Sequence, residues 1–460
     1  MTCDDNRIDN HHPSLRRADA TLGALGKPYR SERVAEDNIL SDDLLRQLIS
    51  VGEVDILVGL HTHNHAKTIG HMVQVIREGL LKYFPRERVA VLNADGGSVD
   101  GTPELVRAAS ITDLRRENSF YTLRTLHCIS SQYGTNVSNG TAMHIIVAAA
   151  DLLRARACAV IAPESSEVRP DWMDQLLGPV YRDNADFVAP VYRRQRFEGI
   201  LVTNLLYPMT RALYGKSIRE PRPGEFAFSD RLASRLVGHP MWSQDAGRLG
   251  PEVCLTLEAL AEGHRIVQAF LGPKGQAERP APDLVAALRQ TVGPLFWSME
   301  NANGAWSSPA EAPTLLTIGP AFDVGTDGTA NVDLARLHHL FCSGTKDLES
   351  VLKSIVSADT LSQLQYAASL DEAHFRLSDE LWAKAVYEFA SAYRRSVISR
   401  DHIIQALAPL YRGRAHTFVT ENLNAAPDAL GERIEALCVT FERFKPYLLE
   451  LWSAPERGSQ

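Results

Sequence analysis

The sequence predicts an α/β protein: a sheet wound with helices, followed by a C-terminal helical domain. Short β-branched runs such as "VDILVGL" and "RVAVLN" alternate with segments of helical spacing. The second half of the chain carries helical periodicity instead, and a Gly-, Pro- and Asn-rich stretch separates the two halves. Strands alternating with helices at this spacing call for a parallel sheet covered on both faces.

Residues 1–50 are polar and read as an N-terminal extension that ends in a short helix at "SDDLLRQLISV". "VDILVGL" is the first buried strand, and "AKTIGHMVQVIREGLLKYF" follows as a helix. "RVAVLNADGG" is a strand that stops in glycines. The helix in "SVDGTPELVRAA" then has Ser98 or Asp100 as its cap and Pro103 in its first turn, where a missing N–H does no harm. "GTAMHIIVAAADLLRARA" is the next helix and "CAVIAPE" the next strand. Residues 51–300 are assigned to this wound domain and 301–460 to the helical one, with a linker or lid near 301–335. In the helical part, Ser378 is placed as a cap, and Trp382, Val386, Phe389 and Tyr393 follow at steps of three and four. "GERIEALCVTFERFKPYLLELW" is a further amphipathic helix, and the helical tail could serve a homodimer.

Composition narrows the function. A hydrophobic content of 45%, 23% charged residues and a net charge of -8 describe a globular protein with no field to draw nucleic acid or an anionic membrane. The six cysteines form no CxxC pair and read as reduced thiols. With no apolar run of spanning length and a polar N-terminus, the expected location is the cytoplasm.

Ligands of wound sheets bind at the carboxyl ends of the strands. The first such end, "LVGLHTHNHAKTIGHM", holds four histidines in sixteen residues. His61, His63 and His65 alternate, so an extended strand would place them on one face. Three convergent imidazoles could bind zinc if a second shell oriented them; a nucleotide-contacting loop and a merely polar loop are the other readings. The second end, "NADGGSVDGT", joins Asp95 and Asp100 to Gly96 and Gly97. Asp95 could accept hydrogen bonds from a base or ribose while the glycines let a ligand approach the backbone.

The order strand–"HTHNHAKTIG"–helix–strand–"DGGSVDGT" resembles the nucleotide-binding half of the GT-A glycosyltransferases. "VRPDWMDQLLGPVYRDNADFVAPVYRR", "YPMTRALYGKSIREPRPGEFAFS" and "GHRIVQAFLGPKGQ" are similar to blocks of the retaining mannosylglycerate and glucosyl-3-phosphoglycerate synthases, as are the C-terminal "RDHIIQALAPLYRGR" and "FERFKPYLLELW". The resemblance spans roughly residues 54 to 452. It implies a GT-A (Rossmann-like) wound mixed sheet, a UDP-sugar or GDP-sugar donor and a small hydroxylated, glycerate-like acceptor. In its light the histidine loop corresponds to the P-x-x-N-E loop of the family, with Asn64 kept and His65 where the acid stands.

The chain departs from the family where charge is handled. The Asp-x-Asp motif that holds Mg²⁺ or Mn²⁺ falls on Ala162–Pro163–Glu164, and the family's metal histidine falls on Gln276. Asn139, beside Gly140, stands where a diphosphate-gripping lysine is expected. Lys67, Arg193, Arg194, Arg222, Lys274 and Arg279 are the candidate replacement cations, with Arg222 and Lys274 preferred. Glu225 and Glu252 occupy acidic positions that the resemblance places near the donor sugar and acceptor; beside that role for Glu252 stands a plain helix-start carboxylate. Two functions follow: a retaining glycosyltransferase working without metal or binding it differently, and a catalytically silent GT-A-fold binding or partner subunit.

Overall fold

The computed structural model describes residues 39–114, 126–133, 138–165, 167–274, 283–307, 315–319 and 332–454. A helix, α1 (Asp42–Val51), precedes the first strand β1 (Ile56–Thr62), helix α2 (Ala66–Tyr83), strand β2 (Val89–Asp95) and helix α3 (Thr102–Leu114). β3 (Leu126–Gln132), α4 (Asn139–Leu152), β4 (Ala157–Ile161), α5 (Asp171–Tyr181) and β5 (Phe187–Arg193) continue the alternation. A π-turn at Val202–Leu206 runs into α6 (Tyr207–Tyr214), and β6 (Phe226–Ser229), α7 (Asp230–Leu236), α8 (Asp245–Leu249), α9 (Pro251–Ala261) and β7 (Ile266–Pro273) complete the wound part. α10 (Leu284–Asn301), α11 (Asn303–Trp306) and a two-residue strand β8 (Thr317–Ile318) lead to α12 (Leu334–Asp347), α13 (Glu349–Ile355), α14 (Ala358–Ser369), α15 (Asp379–Arg395), α16 (Arg400–Asn422) and α17 (Pro427–Ser453).

The strands form one sheet in the order β3-β2-β1-β4-β6-β5-β7-β8. All neighbours pair in parallel except β6, which runs antiparallel to both β4 and β5. The all-parallel sheet that strand–helix alternation suggests is thus a mixed one, as the resemblance implies. A strand only four residues long, reached through the 194–225 excursion, enters from the opposite end.

Period-two alternation sends strand side chains to two cores. Leu57, Ala90, Leu92, Cys158 and Val160 pack on the α4 face, while Ile56, Val58, Val89, Val91, Ala159 and Ile161 pack under α2 and α5. The first core runs on without a break into Phe341, Trp382, Tyr387, Phe441 and Trp452 of the C-terminal helices. Ser378 caps α15 by accepting from the Leu381 N–H, and Trp382, Val386, Phe389 and Tyr393 are buried as the spacing requires. α1 is not a loose extension, because Leu44 and Leu48 enter the same core. Within the expected linker, Trp306 is fully buried against Trp452 at 5.0 Å; residues 308–314 and 320–331 of that linker lie outside the described residues.

Candidate functional site at the carboxyl rim of the sheet

β1 has β2 on one side and β4 on the other, so the segments leaving β1 and β4 diverge and open a crevice at their carboxyl ends. A cavity of about 630 Å³ lies there. His61 from β1, Ala162, Glu164 and Ser165 beyond β4, and Asn139 at the start of α4 form its sheet side. Tyr192 and Arg194 at the end of β5, Arg222 to Glu225 before β6, and Lys274 beyond β7 form its middle. Glu252 at the start of α9, with Gln290 and Thr291 of α10, closes the far side.

The loops after β1 and β2 brace each other. Asp95 is fully buried, and its carboxylate accepts from the Gly97 N–H (3.0 Å), the Ser98 N–H (2.7 Å), the Ser98 hydroxyl (2.6 Å) and the Thr62 hydroxyl (2.7 Å). The Thr62 hydroxyl shares its one proton with Asn93 Oδ1, so Asp95 holds the loop together through these bonds. Gly97 makes the turn possible with φ at 84°, and the Gly96 N–H continues the sheet ladder to the Thr62 carbonyl at 2.7 Å. Asp100 accepts from Thr102, its N–H at 3.1 Å and its hydroxyl at 2.6 Å, and from the Ala66 N–H at 3.0 Å, so it ties together the starts of α3 and α2. Neither glycine nor Asp100 lines the cavity.

The histidines separate for a local reason. β1 ends at Thr62 and Asn64 turns left-handed (φ 58°), which breaks the shared face. His61 faces the cavity, whereas His63 Nδ1 sits 3.1 Å from the Gly96 carbonyl. Asn64 accepts from the Val99 N–H at 3.0 Å, and its own N–H donates to Ser98 Oγ at 2.8 Å, so it clamps loop to loop. His65 is buried and its Nδ1 accepts from the His63 N–H at 3.0 Å. His65 Nε2 in turn lies 3.3 Å from Glu164 Oε1. Burial pushes the Glu164 carboxyl up, but His65, the His61 charge and its own backbone N–H outweigh this and bring it from an ordinary 4.5 to about 2.

Ala162 offers no donor atom beside Glu164, and among the described residues no cluster of three or more His, Cys, Asp or Glu is arranged to hold a metal. Gln276 and Arg279 fall outside the described residues.

Deeper in, Glu225 is buried and accepts from the Ser165 and Tyr192 hydroxyls, with Lys274 Nζ 4.0 Å from Oε2. Lys274 Nζ also lies 4.0 Å from the centre of the Tyr192 ring, a cation–π contact. Burial, then the Glu225 charge, raise the Tyr192 hydroxyl well above 10, so it stays a donor. Arg194 is consumed by a bidentate pair with Glu220 (2.7 and 2.6 Å) and by Glu198 at 3.5 Å. Arg222 reaches only the Gln290 amide oxygen, at 3.1 Å, and has no carboxylate within ion-pairing distance among the described residues. Glu252 is 6% exposed, and its Oε2 has no hydrogen-bond partner among the described residues. Gly140 stays behind the wall: a Cβ there would meet the Gly247 carbonyl at 2.3 Å, so its smallness serves the packing of α4 on α8.

The structure therefore gathers His61, Asn139, Ala162, Glu164, Arg222, Glu225, Glu252 and Lys274 around one cavity and puts His63, Asn64, His65, Asp95, Gly96, Gly97, Asp100 and Gly140 behind it. Lys67 and Arg193 are exposed outside it. Tyr192, Gln290 and Thr291 escape sequence reasoning, since each sits in an ordinary element with no local motif, whereas Ser165 falls within residues 162–166, a strand end that wound-sheet geometry marks. The pair of Tyr192 with Glu225 joins residues thirty-three apart in the chain.

The molecule is thus a wound-sheet protein with a ligand-sized cavity at its switch point. No protein-family model and no curated protein matches the sequence. Among solved structures, it is similar to glucosyl-3-phosphoglycerate synthase from Mycobacterium tuberculosis. In complex with phosphoglyceric acid, that enzyme matches at 20% identity and a TM-score of 0.40, over 56% of this chain and 83% of that one. In complex with Mn²⁺, uridine diphosphate and glucosyl-3-phosphoglycerate it matches at 20% identity and a TM-score of 0.41, over 63% and 92%.

Proposed function

We propose that the chain is a glycosyltransferase of the GT-A type that binds a nucleotide-sugar and transfers its sugar, with retention, to a small hydroxylated acceptor. One observation carries the reading. The switch-point cavity sets two buried carboxylates, Glu225 and Glu252, beside two cations, Arg222 and Lys274. Carboxylates that accept hydrogen bonds suit sugar hydroxyls, and guanidinium and ammonium groups suit phosphate oxygens.

Transfer with retention forms the bond between the acceptor oxygen and the anomeric carbon on the face from which the phosphate oxygen leaves. The acceptor proton passes to that departing phosphate oxygen, so no separate base is required. The burden on the protein is charge on the leaving diphosphate. A metal-free site gives up several kcal/mol of stabilisation (about 3–5 kcal/mol) that a divalent ion supplies elsewhere. Arg222 and Lys274 are the lining cations that would replace it.

The silent-subunit reading has its own support: Arg194 is neutralised by Glu220 and Glu198, and Lys274 is shared with Glu225. Arg222 is then the one lining cation without an acidic partner among the described residues. Incubation with UDP-glucose or GDP-mannose plus glycerate or 3-phosphoglycerate, in EDTA, separates the two. The transferase reading expects release of nucleoside diphosphate and a product with the donor's anomeric configuration by NMR. No release, together with a melting temperature that neither nucleotide-sugar raises, favours the silent subunit.

A further inference from the structure

The cavity wall that faces the C-terminal helices is a π-turn. Gly199, with φ at 70°, opens the segment by accepting from the Val202 and Thr203 N–H groups at 2.9 and 3.0 Å. The turn proper is Val202–Leu206, closed by the Tyr207 N–H on the Val202 carbonyl. Gly199, Leu201 and Val202 line the cavity. A π-turn holds one residue more than an α-turn and gives up hydrogen-bond geometry to do so, which is why such turns persist mainly where neighbours fix them.

Here the neighbours come from the far end of the chain. The Trp382 indole N–H donates to the Asn204 carbonyl at 2.7 Å, inside the turn. The Arg414 Nε–H donates to Asn204 Oδ1 at 2.8 Å, and a terminal nitrogen of Arg414 donates to Asp379 Oδ1 at 2.6 Å. Asn204, Trp382 and Arg414 are all fully buried, and Arg433 pairs with the other oxygen of Asp379 at 3.1 Å. α15 and α16 thus reach across to hold one residue of the cavity wall by both its backbone and its side chain.

We propose that Trp382 and Arg414 are positioning residues for the cavity, holding the π-turn and with it Leu201 and Val202 in the register the ligand meets. Relaxation of a π-turn to an α-helix removes one residue from the winding and rotates everything before it by about 100°. Leu201 and Val202 would leave the wall. The shape of the cavity is in this way set by helices α15 and α16, which among the described residues contribute no lining side chain of their own. The effect on binding rests on the sugar-nucleotide reading; the effect on the wall does not.

The test is Trp382→Phe in the full chain, which keeps a ring in place and deletes the indole N–H. Circular dichroism should remain that of the wild type. Amide hydrogen exchange should rise about tenfold or more at residues 199–207 and stay unchanged in β1. The dissociation constant for whichever of UDP-glucose and GDP-mannose binds the wild type should rise about five- to tenfold. Unchanged exchange at 199–207 overturns the proposal, and so does faster exchange with unaltered affinity. Should neither nucleotide bind the wild type, the functional reading falls, while the exchange result alone still decides whether the wall is held from the helical side. If Trp382→Phe does not fold, Asn204→Ala removes the Arg414 contact and the Asn204 amide bond to Thr203 Oγ1 while keeping the Trp382 bond to the carbonyl, and the same local rise in exchange is expected of it.

Discussion

Replacing Asp95 by alanine separates a loop brace from a ligand contact. In the folded chain the Gly97 N–H, the Ser98 N–H and the Ser98 hydroxyl would lose their acceptor, while the Thr62 hydroxyl keeps Asn93 Oδ1 at 2.9 Å. A buried donor left without a partner costs about 1–3 kcal/mol, and bonds to a charged acceptor lie at the upper end. Three such donors, partly relieved by water entering the loop, give a loss of about 3–5 kcal/mol, large for a single substitution. Urea denaturation of wild type and variant, compared at equal m-values, measures it. Because the brace also places Asn64 and the start of α2, nucleotide binding should weaken together with stability. A variant within about 1 kcal/mol of the wild type that nonetheless loses all nucleotide binding would refute the reasoning and return Asp95 to the ligand.

The remaining expectations concern charge inside the cavity. With the Glu164 carboxyl lowered from 4.5 to about 2, the folded state takes up its proton less readily than the unfolded chain. Its stabilising contribution is therefore complete above about pH 4.5 and lost as pH falls towards 2. The stability gap between wild type and Glu164→Gln should shrink between about pH 6 and pH 3, and a gap that widens on acidification contradicts the His65–Glu164 pairing. Glu252→Leu removes a buried carboxylate with an unpartnered oxygen, so it should stabilise the ligand-free chain by about 1–2 kcal/mol while weakening sugar-nucleotide binding; a destabilised variant would mean that Glu252 has partners in the free protein. Arg194→Lys cannot reproduce the fork to Glu220 and Glu198 and should cost about 2–4 kcal/mol by chemical denaturation, where a change under about 0.5 kcal/mol would show the pair to be incidental.

What the sequence discloses follows from how local each signal is. β1, β2 and β4 are short apolar runs, buried on both faces, and their composition alone marks them. β3, "LHCISSQ", is half-exposed at the sheet edge and too polar to stand out. β6 is only four residues long, and its antiparallel direction comes from the long excursion before it. Helices α12 to α14 escape notice because they bury few side chains: only Phe341 and Thr345 are buried along the whole of α12. Within the site, the strand stops at Thr62, so the alternation of His61, His63 and His65 ends there, and His61 lines the cavity while His63 and His65 do not. Asp95 is found as a conspicuous acid, and a carboxylate that closes its own turn looks the same in sequence as one that awaits a ligand. Arg194 is likewise visible as a cation, whereas its neutralisation by Glu220 depends on a contact twenty-six residues away.

The central claim is that fixed protein charge, without a divalent ion, holds a sugar nucleotide in the cavity between His61 and Glu252. Calorimetric titration with UDP-glucose and GDP-mannose in EDTA, on the wild type and on Arg222→Ala, tests it most directly. The account predicts saturable one-to-one binding of one donor, unaltered by EDTA and weakened about tenfold or more in the variant. Binding that appears only when Mn²⁺ or Mg²⁺ is added, or that Arg222→Ala leaves untouched, would contradict it.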